Sequence, residues 1–266
     1  MARFGRAGET AVNRLLHLPG VGALLFAATL LLLWQVLADF KLISPVFFPS
    51  PLRTVTELMR QITEGLIWAP LVATSQRMFF GWALAALLGV ILGAAIGSSR
   101  TARDYLEPLL EFVRPLPASA IIPAAILFLG LSNEMAITVI AFGAIWPVLL
   151  SSAHGFAAIE PRLREVAEAL CLSRRQLLVK IAVPGALPDI LAGARVSLAI
   201  ALILAVVTEM QASQPGLGQN ILLAQRSLRS PELYAGIISL GIMGFVLNHA
   251  LIMIEQHLLR WRSVTA

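Results

Sequence analysis

The chain has 266 residues, 58% of them hydrophobic and only 13% charged, with a mean hydropathy of +0.82. Water-soluble domains carry about 25% charged residues, so this composition excludes a soluble globular protein and marks an integral membrane one. The net charge of +5 does not indicate a nucleic-acid binder, because the basic residues lie in short loops between apolar runs; one cysteine excludes an intrachain disulfide framework.

Residues 1–20 are expected to form a cytoplasmic N-terminal segment carrying Arg3, Arg6 and Arg14. The apolar run from about Val21 to Phe40 is long enough to cross a bilayer and too long for a signal-peptide core, so it reads as a retained first span. After Lys41, Ser50 and Pro51 start a helix whose Leu52, Val55, Met59 and Ile62 form a narrow apolar stripe. That helix should lie on the outer surface of the membrane, within a first region covering residues 21–71.

A second span is expected from about Thr74 to Gly97. Its Gly81, Gly89, Gly93 and Gly97 recur at four- and eight-residue intervals, the spacing that lets helices approach closely in lipid. The third, about Tyr105 to Gly130, contains Pro115, Pro117 and Pro123 and should be one kinked helix. The fourth runs from about Met135 to Phe156, the fifth from Ile190 to Thr208, and the last from Leu233 to Leu258, before a tail of residues 259–266. Trp34, Trp68 and Trp82 are expected as interface anchors. The outer loop after the fifth span contains Gly216-Leu217-Gly218 and a short amphipathic piece.

Between the fourth and fifth spans, residues 159–184 interrupt the oily sequence with charge. Pro161 suits a first helical turn, and Leu163, Val166, Ala167 and Leu170 fall on one face with Arg162, Arg164, Glu165 and Glu168 around the rest. Ser173 and Gln176 make a capping-box pattern for a second helix bearing Leu177, Leu178 and Ile181, which Pro184 ends. Two such short amphipathic helices cannot cross a bilayer and must sit in water with the stripe against a partner. Six spans with the N-terminus inside place twelve basic residues in the cytoplasm: Arg3, Arg6, Arg14, Arg100, Arg103, Arg162, Arg164, Arg174, Arg175, Lys180, Arg260 and Arg262. Lys41, Arg53, Arg60, Arg226 and Arg229 are the five outside, so the positive-inside rule puts the hairpin in the cytoplasm.

The hairpin residues Glu165-Val166-Ala167, Cys171 and Ile181-x-Val183-Pro184 resemble the EAA loop of permease subunits of bacterial ABC importers. The family has Gly where this chain has Cys171, because that turn needs a left-handed residue, and a slightly remodelled turn is expected. The Phe48-Pro49-Ser50-Pro51, Arg114-Pro115-Leu116-Pro117 and Gly216-Leu217-Gly218 segments resemble the sulfonate, taurine and nitrate branch. The resemblance implies an all-α, six-span permease of the type I importer fold with its core in residues 72–258. It also implies two ATPase subunits that carry ATP and magnesium, an outer solute-binding protein, and a second permease copy. The ATPase interface would comprise Pro161, Leu163, Arg164, Glu165, Val166, Ala167, Glu168, Ala169, Leu170, Cys171, Leu172, Ser173, Gln176, Leu177, Ile181 and Pro184. Arg114, Pro117, Pro123, Arg195 and Glu209 are candidates for the path or gate. Arg77, Arg114 and Arg195 lie in or near spans, where a charge is either functional or held by a structural partner; Glu209 could pair with an arginine or touch the solute.

Two other readings compete. A stand-alone secondary transporter would show duplicated halves, which the sequence lacks. An intramembrane protease would use Ser151, Ser152 and His154, but residues two or three apart on one helix do not face each other as a nucleophile and base do, and no GxSx pattern precedes them. No Walker A pattern is present either.

Overall fold

The computed structural model describes residues 21–159 and 161–261, every regular element of which is helical. Arg3, Arg6, Arg14 and Arg262 lie outside the described residues, as do the side chains of Pro161, Arg164, Glu168 and Arg174. Helix α1 (Val21–Asp39) stands apart, with no buried residue from Gly22 to Asp39; Gln35 Oε1 ties it to the Leu52 amide at 3.1 Å. Helix α2 (Pro51–Thr63) starts as read, with Ser50 capping the Arg53 amide. It turns Thr54 and Leu58 inward and leaves Leu52, Val55 and Met59 exposed for lipid.

Helices α3 (Trp68–Ser98) and α6 (Asn133–Ala157) form the central pair. The glycines of α3 meet α6 in register: Gly81 against Ile140, Gly89 against Val148, Gly93 against Ser152, Gly97 against Phe156. A Cβ added at Gly93 would stand 2.5 Å from the Ser152 Cβ, so the two backbones touch where only hydrogen fits. The sequence offset is the same at each contact, so the two helices run parallel. The chain between Ser98 and Asn133 must therefore return to the side on which α3 began.

That return differs from expectation. In place of one kinked span there are two helices, α4 (Arg100–Val113) and α5 (Ala118–Leu129), bent by 91°. Pro115 and Pro117 remove two amide donors within three residues, and Arg103, Asp104, Glu107 and Glu111 make α4 too polar to lie in lipid alone. Ala118, the first residue of α5, meets Gly143 near the middle of α6, so the bend sits at mid-depth of the bundle. The described residues hold five helices long and apolar enough to cross a membrane, and the bent pair supplies the sixth crossing.

After α6 come α7 (Pro161–Ala169), α8 (Arg174–Leu177), a π-helical turn (Leu178–Ala182) and α9 (Val183–Ala212). Pro184 was expected to end the hairpin; it lies instead in the first turn of α9, and the second arm runs unbroken into the span. The widened π turn, in which the Val183 amide reaches back to the Leu178 carbonyl, accommodates a residue that has no amide hydrogen. Helix α9 is antiparallel to α6, with Gly193 on Pro147 and Ser151 and Gly155 on Ala186. Helices α10 (Leu217–Arg226) and α11 (Ser230–Leu258) complete the chain. Trp82 is not an interface anchor, because its Nε1 donates to the Ala194 carbonyl at 3.0 Å between packed spans. Ser152 is fully buried against α3 while His154 of the next turn is exposed, so no serine–histidine pair forms.

Candidate functional site

The hairpin is the first candidate region. Along α7, Leu163 (44% exposed), Val166 (51%) and Leu170 (66%) form one exposed apolar face with Glu165 and Ala169 exposed beside it. Ala167 does not belong to this face. It is 3% exposed and packs inward, so the stripe read from the sequence is split between two environments. Helix periodicity groups these residues but does not say which edge of the group meets the chain's own body.

Cys171 has φ +50 and closes α7, while the Leu172 amide donates to the Ala167 carbonyl at 2.9 Å. This is a Schellman-type end with cysteine in the left-handed place usually held by glycine. The turn is therefore not remodelled, and the residue carries the strain, worth about 1–2 kcal/mol for a residue with a Cβ. Ser173 and Gln176 form the capping box: the Ser173 amide donates to Gln176 Oε1 at 2.9 Å, and the Gln176 amide to Ser173 Oγ at 3.3 Å. Leu172, Leu177, Ile181 and Pro184 are half-buried behind the exposed face.

The second region lies at the opposite end of the bundle, around Glu209, which is 0% exposed. Arg77 Nη1 donates to Glu209 Oε1 at 2.8 Å and to the Pro215 carbonyl at 2.7 Å, and its Nε to Asn133 Oδ1 at 2.8 Å. Glu209 Oε2 accepts from Thr74 Oγ1 at 3.0 Å and from the Gly218 amide at 2.9 Å; the Leu217 amide donates to Thr74 Oγ1 at 2.9 Å. A Cβ at Gly216 would lie 2.2 Å from the Glu209 carboxylate carbon, which is why the loop needs glycine there. The cluster thus clasps α3, α6, α9 and the loop before α10 around one carboxylate. Thr74, Asn133 and Pro215 were not singled out in the sequence. The available signal was Arg77 itself, a charge inside a span that must find a partner.

The remaining candidates are dispersed. Arg195 on α9 pairs with Glu255 on α11. Arg114 is exposed at the end of α4, Pro117 precedes the first residue of α5 and gives it no side-chain cap, and Pro123 is exposed within α5. The structure brings Arg114 and Pro117 together at the bend but does not bring Arg195 or Glu209 to them.

The family profile described as binding-protein-dependent transport system inner membrane component matches residues 85–264. An aliphatic sulfonates transport permease protein, SsuC, of Bacillus subtilis is 32% identical over 240 residues, 90% of this chain and 87% of the relative. The taurine transport system permease protein TauC of Escherichia coli is 31% identical, covering 89% and 88%. The nitrate import permease protein NrtB of Synechocystis is 29% identical, covering 86% of each. Among solved structures, an inward-facing form of the MetNI methionine ABC transporter shares the fold with a TM-score of 0.59 at 19% identity, over 72% of this chain and 93% of that one. The chain belongs to the binding-protein-dependent transport system inner membrane component family and is a multi-pass ABC transporter permease, a transport subunit and not an enzyme.

Proposed function

We propose that this permease imports a small anion of the sulfonate, taurine or nitrate class, received from an outer solute-binding protein. Two copies pair about a two-fold axis, and two separate ATPase subunits dock on the hairpins, which lie in the cytoplasm together with both chain termini. The observation that carries this reading is the exposed face of Leu163, Val166 and Leu170 on α7, joined by the Cys171 turn to a second arm that is continuous with a span. An apolar face that is stable in water needs a groove to enter, and Glu165 provides a polar contact at its rim. Pro161, Arg164, Glu168, Ala169 and Ser173 complete the docking surface.

ATP binding draws the two ATPases together and the docked hairpins with them. The spans then rock between inward-open and outward-open, a two-state shift biased by the nucleotide. The solute path runs past the bend at Arg114 and Pro117, with Pro123 further along α5. An irregular backbone at mid-depth is tolerated where it lines water or is covered by protein. The uncapped start of α5 offers free amides and the positive end of a helix dipole beside the Arg114 guanidinium, a combination that favours an anion. Glu209 and Arg195 hold the gate-bearing spans in place.

The test is uptake in proteoliposomes holding this permease, its ATPase and its binding protein, with labelled taurine, an alkyl sulfonate and nitrate each supplied outside. ATP-dependent uptake of one of them, lost in Arg114→Ala, supports the reading. Uptake by the permease without ATPase would overturn it.

A further inference from the structure

A cavity of about 450 Å³ lies at the hairpin end of the bundle, between the last turn of α6, the first helix of the hairpin and the start of α9. Nothing in the transport cycle described above uses it. Its walls are mixed, with an apolar part from Ile159, Leu163, Ile181 and Pro188, and the exposed Trp261 stands at one side. Asp189 on α9 is the one charged residue among the described residues that line it. No ion pair among the described residues includes Asp189. The floor is open at Gly185, where an added Cβ would meet nothing within 4 Å.

This combination selects a particular guest. An apolar wall suits a methylene stem, a carboxylate in no ion pair among the described residues suits a cationic head, and an indole face adds a cation–π contact. A long basic side chain has each of these parts and is small enough to enter. Leu163 contributes both to the cavity wall and to the exposed face of α7, so a protein seated on that face passes over the cavity mouth.

We propose that the cavity receives a lysine or arginine side chain projected by the docked ATPase subunit, its cation held between the Asp189 carboxylate and the Trp261 indole. This rests on the hairpin being the ATPase docking surface. The seated side chain ties the partner to the base of α9 as well as to the hairpin tip. Movement of the ATPase then pulls on the span directly.

The permease in nanodiscs is titrated with its own ATPase subunit, at low and at high salt. Asp189→Asn is expected to weaken binding about tenfold at low salt, with the difference shrinking as salt screens the pair. Gly185→Leu adds bulk at a lining position where a Cβ meets nothing within 4 Å, and is expected to weaken binding at low salt at least as much as Asp189→Asn. Wild-type affinity in both variants, alongside loss of binding in Val166→Asp, overturns the cavity proposal and leaves the docking surface standing. Wild-type affinity in Val166→Asp as well overturns the docking surface itself. A loss in Asp189→Asn seen only when the nanodiscs contain ethanolamine headgroups assigns the cavity to a lipid ammonium and also overturns the proposal.

Discussion

Arg77 and Glu209, 132 residues apart in the chain, meet at 2.8 Å inside the end of the bundle opposite the hairpin. Removing one partner from such a pair leaves an uncompensated buried charge, which costs about 3–5 kcal/mol. Arg77→Met and Glu209→Ala should therefore each lower the yield of folded permease and its melting temperature in detergent. The double variant Arg77→Met with Glu209→Gln should recover part of the loss. A double variant no better than the worse single one would show that the pair is not the coupled unit described here.

The glycine contacts between α3 and α6 give a second prediction. A Cβ at Gly93 stands 2.5 Å from the Ser152 Cβ and 2.7 Å from the Leu149 carbonyl oxygen. Gly93→Ala should destabilise the fold by about 1–3 kcal/mol, the usual cost of overpacking. Ser152→Gly in the same chain should return a fraction of that, because it removes the nearest obstacle and leaves the backbone atoms of Leu149 and Ala153. Thermal melts of the four proteins of this cycle measure the coupling.

On the hairpin, neighbouring residues should respond differently. Val166→Asp should leave the permease folded and inserted and abolish copurification with the ATPase. Ala167→Asp puts a charge into a site only 3% exposed, so it should loosen the hairpin itself and raise its susceptibility to protease. Equal protease sensitivity in the two variants would contradict the inward packing of Ala167.

Cys171→Gly should stabilise the turn by about 1 kcal/mol, because glycine adopts the left-handed conformation without the Cβ conflict. Hydrogen exchange of the Leu170 and Leu172 amides, both bonded across the end of α7, should slow by about fivefold in the glycine variant. Faster exchange would mean that the cysteine side chain makes a contact worth more than the strain.

The parts of this fold that were legible in the sequence are those set by local chemistry. Ser50 with Pro51 and Ser173 with Gln176 start helices where their side chains can reach the first free amides, whatever surrounds them. The glycine interval of α3 announced a close neighbour, though not that the neighbour would run parallel. The prolines at 115 and 117 signalled a disturbance, but its size depends on Ile122 and Ala125 packing with Met135, Val139 and Ala212, contacts no local pattern contains. The candidate sites divide the same way. The hairpin is contiguous and could be read almost whole, whereas Glu209 acquires its partners from Thr74 and Arg77 of α3 and the Gly218 amide of α10, and the inward turn of Ala167 depends on the body beneath it.

The uninterrupted helix from Arg175 to Ala212 has a consequence for how this chain can vary. At about 100° per residue, one amino acid inserted between Val183 and Val207 would swing Glu209 roughly a quarter-turn away from Arg77 and shift every contact beyond the insertion. Length along that stretch is therefore fixed as tightly as identity. A scan of single-residue insertions should find a silent zone there, with uptake surviving only on either side of it.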